Sequence, residues 1–260
     1  MTLFAPPVGS RSVNKINPVS KLIVSAVISL AVLLSLDWVS ATVALALECV
    51  LIVWVRLSPR QLVLSTSPVW IAAILSGFTI LLYGRPSGQV YFHFFVAQVT
   101  DGSIELAIAT VLRGLAIGLP AVVLFVTIDP TDFADGLAQV MKLPARFVLG
   151  ALAGFRLVFL LLEDWRSLER ARRARGVADT GRLRRFAGQA LALLVISIRR
   201  GTKLATAMEA RGFGGKGPRT WARPSRMRIG DAVVIAYGVL IAASAVTVAV
   251  LSGHWSFIGG

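Results

Sequence analysis

The chain has 260 residues, is 56% hydrophobic and only 15% charged, and its mean hydropathy is +0.75. A soluble globular domain rarely shows that balance, so the composition points to a bilayer. The 27 Lys and Arg against 13 Asp and Glu leave a formal net charge of +14, and residues 131–228 alone hold 20 of the basic and 7 of the acidic residues. Cys49, the only cysteine, excludes an intramolecular disulfide and a thiol cluster for a metal.

At the N-terminus, "MTLFAPPVGSRSVNKINPVSK" places prolines, polar residues and three cations ahead of any apolar run. A cleaved signal peptide has a different order, so the first apolar helix is expected to be retained. Apolar segments long enough to cross the hydrocarbon, or nearly so, lie at about 20–36, 39–55, 66–83, 104–127 and 231–252. The first two are short and read as tilted partners. Between the third and fourth, "YGRPSGQVYFHFFVAQVTDG" reads as an interfacial or partly re-entrant element because of its aromatic cluster. His93 within it lacks a second ligand at helical spacing and reads as an interfacial side chain.

Orientation follows from the basic residues. Arg11, Lys15 and Lys21 precede the first span, Arg56 and Arg60 follow the second, and the large basic block follows the fourth. The N-terminus and the block are therefore expected in the cytoplasm of a bacterial plasma membrane, with the C-terminus outside. Two apolar runs inside the block, 146–162 and 186–198, tempt one to add two more spans. That topology would put eight arginines between Glu163 and Arg185 outside, and Arg156 interrupts the first run. Two long helices at about 145–174 and 183–210, lying at or below the inner surface, fit better. Asp129 and Pro130 end the fourth span, and Pro144 separates a short amphipathic helix at 131–142 from the first long one. The organisation expected is membrane helices one to four in 1–130, a cytoplasmic coupling region in 131–228 and a last membrane helix in 229–260.

Both long helices end on the same tripeptide: Ala174, Arg175 and Gly176 close the first, and Ala210, Arg211 and Gly212 close the second. Taken once, such an end serves the helix itself, since a cation suits the negative end of the dipole and glycine accepts the left-handed cap. Two copies 36 residues apart suggest more. Alanine lets the helix end approach a partner, the planar guanidinium can bind a carboxylate with two bonds, and glycine turns the chain away. The pair has the chemistry of a plug for an acidic groove.

The run "VTIDPTDFADGLAQVMKLPARFVLGALAGFRLVFLLLEDWRSLERARRARG", then "LVISIRRGTKLATAMEARGFGG", resembles the T component, the transmembrane coupling subunit, of energy-coupling factor (ECF) transporters, an EcfT/CbiQ-like family. The early "INPVSKL" is similar to that family's entry into the first span. The resemblance implies an all-α membrane protein of about five transmembrane helices plus long cytoplasmic coupling helices set crosswise. It implies that Arg175 and Arg211 dock into grooves of two ABC-type ATPase subunits. It also implies that a small membrane S component captures a vitamin or a transition-metal ion and is toppled by ATP-driven motion. On this reading ATP and Mg belong to the partner ATPases, this chain binds no cofactor or metal, and no nucleic acid is expected as a partner. Arg166, Arg170, Arg172 and Arg173 are expected to surround the first docking point, and Glu209 to orient Arg211; the two contacts are not equivalent, because arginines in the first copy stand where the second has "AME". Asp129, Pro130 and Pro144 are the expected hinges. Gly150, Ala151, Ala153 and Gly154 either permit a close helix crossing or serve ordinary packing.

No catalytic constellation appears. "GFGGKGPR" is not a phosphate-binding loop, because Ala210 stands where a glycine is needed and Gly217 where Ser or Thr is. His93 and His254 are far apart, so the chain is expected to be a non-catalytic subunit. Two other readings stay open. One is a carrier using Glu48, Arg113 and Arg156 as an intramembrane charge path. The other is a membrane-anchored protein whose basic cytoplasmic region binds anionic lipid or RNA.

Overall fold

The computed structural model describes residues 11–34, 37–84, 87–94, 97–176, 181–215, 217 and 220–253. His254, weighed above, lies outside them. The described chain runs α1 (Arg11–Asn14), α2 (Pro18–Leu33), α3 (Trp38–Val55), α4 (Pro59–Tyr83), β1 (Val90–Phe94), β2 (Ala97–Thr100), α5 (Asp101–Val126), α6 (Pro130–Gln139), α7 (Ala145–Ala174), α8 (Arg182–Ala210) and α9 (Ile229–Leu251). It is an all-α membrane protein apart from one hairpin.

Local chemistry sets most helix starts. The Asn17 side chain accepts from Val19 N at 3.0 Å ahead of Pro18, the first residue of α2. Asp37 accepts from Ser40 N at 2.7 Å to start α3, and Ser58 stands before Pro59 at the start of α4. Thr100 and Ser103 cap each other's backbone at the start of α5, at 3.3 and 2.8 Å. Each of these oxygens satisfies a backbone donor that the first turn leaves unpaired.

The chain divides into two compact units, with the division between Gly136 and Leu137 and again between Pro224 and Ser225. In the first, which holds α2 to α5 and α9, α2 packs on α5 and α9, α3 packs on the same two helices, and α4 lies along α5. Val24, Ile28, Val32, Ala44, Leu51, Val55, Ala116, Val123, Val234 and Ile241 form the core. The closest approaches are made by glycines: a Cβ on Gly77 would collide with Val111, one on Gly118 with Val69, and one on Gly238 would lie 2.9 Å from Val24 Cγ1. Absence of a side chain at these three places is what allows the backbones to close up.

In the second unit, α7 and α8 bury almost nothing. No residue of α7 is buried, and in α8 only Gln189 is, among the described residues. The pair is tied by Asp164 to Arg200, at 2.6 and 3.2 Å, and by Glu169 to Arg185 at 3.5 Å, with the Trp165 and Phe186 rings 5.5 Å apart. A Cβ added to Gly150 or Gly154 would meet nothing within 4 Å, so these glycines make no close crossing within the described chain.

Among the described residues, five helices are long and apolar enough to cross a membrane: α3, α4, α5, α7 and α9. That set differs from the five segments expected from hydropathy. It includes α7, whose first half is apolar, and leaves out α2, which at 16 residues spans about 24 Å against a hydrocarbon core of about 30 Å. The aromatic segment before α5, expected to be interfacial or re-entrant, is an antiparallel hairpin with Val90 opposite Thr100 and Phe94 opposite Ala97. Its aromatic and β-branched residues favour the pleated backbone. His93 stands opposite Gln98 in that ladder. At its edge the exposed Tyr91 hydroxyl is bonded to Asp101, which raises its pKa above the ordinary phenol range.

Candidate functional site: two arginine tips and the root of their helices

The two Ala-Arg-Gly ends have the same backbone construction. Arg175 is the last residue of its helix turn, with its N–H donating to Ala171 O at 3.2 Å, and Gly176 takes φ +69°. Arg211 N donates to Ala207 O at 3.2 Å, and Gly212 takes φ +75°. Gly176 N donates to Arg173 O at 3.1 Å, and Gly212 N donates to Glu209 O at 2.9 Å. At the second tip Phe213 N also reaches back to Met208 O at 2.9 Å, completing the glycine-terminated cap that closes many helices. Positive φ at these two positions is nearly free for glycine and costly for a side-chain-bearing residue.

All six tip residues are exposed, and neither Arg175 nor Arg211 has an ion pair among the described residues. Nothing lies within 4 Å of where a Cβ on Gly176 or Gly212 would be. Each guanidinium therefore stands at a helix end with no ion pair to a described residue.

The flanking residues divide. Arg166 and Arg170 are exposed and line a shallow polar groove on α7 with Glu163, Asp164 and Glu169. Arg173 pairs with Glu169 one turn back, at 2.6 Å. Arg172 faces α8, donating to Arg185 O at 3.3 Å and lying against Gly188. Arg172 thus braces the helix pair. Glu209 forms no ion pair with Arg211.

Bonds from Glu169 and Arg172 to Arg185 hold the end of α7 beside the start of α8. The second tip is the far end of α8, so a helix on the order of 40 Å separates the two arginines. One small ligand cannot engage both. Near the second tip, Arg146 Nε would lie 3.7 Å from a Cβ on Gly214, which adds a cation that spacing alone did not single out.

The expected hinge residues are helix starts. Asp129 Oδ1 accepts from Thr131 N at 2.7 Å and Asp132 N at 3.3 Å, with Pro130 as the first residue of α6. Pro144 precedes α7 and its carbonyl accepts from Phe147 N at 3.0 Å. Between them Lys142 adopts φ +55° and Leu143 N donates to Leu137 O at 3.1 Å, so the chain turns sharply out of α6 without a glycine.

A polar knot lies where the membrane helices begin and end. Lys21, 2% exposed, donates through Nζ to Thr127 Oγ1 at 2.8 Å and Thr127 O at 3.2 Å. Asp231, 1% exposed, accepts from Asn17 N at 2.6 Å and from Arg228 N at 2.5 Å. Asn17 Nδ2 donates to Ser225 Oγ at 2.9 Å. Of the residues weighed as a charge path, Glu48 is fully buried in α3 with neither carboxylate oxygen hydrogen-bonded among the described residues, and Arg113 donates to Leu33 O at 2.5 Å. No group of three His, Cys, Asp or Glu that could hold a metal occurs among the described residues.

A family model described as CbiQ, cobalt transport protein, matches residues 9–221. The energy-coupling factor transporter transmembrane protein EcfT of Brevibacillus brevis (strain 47) is 27% identical over 248 residues, covering 90% of this chain and 92% of its own. The EcfT protein of Limosilactobacillus fermentum is 27% identical over 185 residues, 66% of this chain and 68% of its own. That of Thermanaerovibrio acidaminovorans is 29% identical over 194 residues, 69% and 71% of the two chains.

Proposed function

The chain belongs to the CbiQ family, and from that premise we propose that it is the transmembrane coupling subunit of an ECF-type importer, passing ATP-driven motion from two ATPase subunits to a substrate-binding S component for uptake of a vitamin or a transition-metal ion. The observation that carries this reading is the pair of exposed arginine tips, alike in backbone construction and set about 40 Å apart, neither in an ion pair among the described residues. Two separated plugs of one chemistry call for two similar sockets. A socket lined by carboxylates suits them, because a guanidinium binds a carboxylate with two parallel bonds.

Motion then has a physical route. Two ATPases that close on ATP and part after hydrolysis would move Arg175 and Arg211, each at the end of a helix of about 30 residues. Such helices carry displacement with little bending, and the turns at Asp129, Pro130 and Pro144 are where the backbone can change direction. The chain itself is non-catalytic on this reading, with ATP and Mg on the partners. The N-terminus and the α7 and α8 arms face the cytoplasm, and the C-terminus faces outside, as the distribution of arginine favours.

The test is co-purification from the host membrane through a tag on this chain, comparing wild type with Arg175→Glu plus Arg211→Glu. Wild type is expected to bring down two ABC-type ATPases and a small membrane protein. The double variant stays membrane-inserted and loses the ATPases by at least about 30-fold, the low end for opposing a charge at an interface. Retention of the ATPases by the double variant, or RNA or anionic lipid as the main salt-sensitive companion of wild type, overturns the proposal.

A further inference from the structure

We propose that Lys21, together with Asn17 and Gly136, anchors the root of the arm, making Lys21 a positioning residue that fixes the direction in which the chain leaves α5 for α6. The inference rests on the coupling-subunit reading for its functional meaning, and on geometry for its substance.

Three observations within one compact unit converge. Lys21 sits on the first turn of α2, yet its ammonium is spent on the end of α5, 106 residues away, bonding both the carbonyl and the hydroxyl of Thr127. Thr127 Oγ1 in turn donates to Leu124 O at 2.7 Å, so the cation sits on the carbonyl end of a helix, where its charge suits the dipole. Asp132 on α6 and Asp231 on α9 act on the same ammonium through space. Two residues beyond Thr127, Asp129 starts α6. Six residues into it, Gly136 lies so close to α2 that an added Cβ would be 2.9 Å from Val19 Cγ2 and 3.0 Å from Asn17 Oδ1. The root of the arm is therefore held at both ends of a ten-residue stretch by side chains of the α2 entry: Lys21 at Thr127, and Asn17 with Val19 at Gly136.

A buried cation is retained at such a place only if its bonds are made, since an unpaired one is costly. Hydrophobic packing alone could join α2 to α5. A directed ammonium bonded to the last carbonyl adds a fixed exit angle, which is what an arm needs if tip motion is to reach the bundle.

The experiment uses the full chain with the partners that co-purify, in wild type and Lys21→Met, reading amide hydrogen exchange. In Lys21→Met, exchange in α6 is expected to rise at least ten-fold while the centres of α3 and α9 keep their protection. ATPase recovery and ATP hydrolysis stay within two-fold of wild type. Unchanged α6 exchange in the folded variant overturns the anchor, and so does a rise of equal size through α3 and α9, which would make Lys21 an ordinary core residue. Should Lys21→Met fail to accumulate, Thr127→Val decides: it spares the bond to the carbonyl and is expected to raise α6 exchange by a smaller factor, and no rise overturns the proposal. Absence of ATPases from the wild-type preparation strikes the coupling reading instead, and the α6 exchange still decides the anchor.

Discussion

The membrane bundle and the α7 and α8 arms are both built of long helices, and they differ in what they bury. In the bundle, α2 and α9 close on each other at Gly238, α4 and α5 close at Gly77 and Gly118, and buried polar groups such as Lys21 and Asp231 are bonded. In the arms, Phe147 is 74% and Leu183 83% exposed, and no residue of α7 is buried. The contrast separates two uses of a long helix. Each bundle helix buries one face against its neighbours and leaves apolar residues outward, with Val53 74% and Leu251 81% exposed, whereas α7 buries no residue among those described; exposed apolar surface of this extent marks an interaction face for lipid or partner proteins.

The contrast can be broken with a pair of glycine substitutions. Gly118→Leu drives a side chain into Val69 and is expected to cost about 3 kcal/mol, enough to broaden the size-exclusion profile of the purified chain. Gly154→Leu, with nothing within 4 Å, leaves that profile unchanged. Equal damage from both would mean that α7 packs as tightly as the bundle. Next in size is Gly212→Val, which forces a β-branched residue to φ +75° at a cost of about 1–2 kcal/mol. The loss is expected only at the last turn of α8, seen as faster amide exchange there, with weaker ATPase recovery and an unchanged unfolding midpoint for the bundle.

Glu48 sharpens the contrast from inside the bundle. As a fully buried acid without a hydrogen bond it is a liability, so Glu48→Leu is expected to raise the thermal midpoint by an amount equivalent to about 1 kcal/mol. A drop would show that the carboxyl has a partner in the assembled complex. Smallest is Arg200→Met. The pair with Asp164 is partly exposed, at 41% and 22%, so a double-mutant cycle with Asp164→Asn should give a coupling of about 0.5 kcal/mol.

Legibility in the sequence followed the range of the interactions. Helix ends at Asp129, Pro130, Pro144, Gly176 and Gly212 could be read directly, since proline, a capping carboxylate and a left-handed glycine act within one turn. The docking roles proposed for Ala174, Arg175, Ala210 and Arg211 rest on resemblance and on their exposed, matched geometry. The flank was less legible. Arg172 and Arg173 looked like members of a cationic patch, but the structure commits one to Arg185 O on α8 and the other to Glu169. Small residues on α7 suggested a close crossing, while the close approaches lie at Gly77, Gly118 and Gly238, because a glycine becomes a contact only where a partner helix arrives.

By itself the sequence determined that the chain lives in a membrane, where α7 and α8 start and stop, and that two arginine tips are presented in matched form. These follow from composition and from backbone chemistry acting over four residues or fewer. Tertiary structure decided the rest: that Lys21 reaches Thr127 across 106 residues and Asn17 reaches Asp231 across 214, and that Glu48 stands without a hydrogen bond. Such pairings depend on which helices pack together, and apolar helices of similar composition do not reveal their neighbours one at a time.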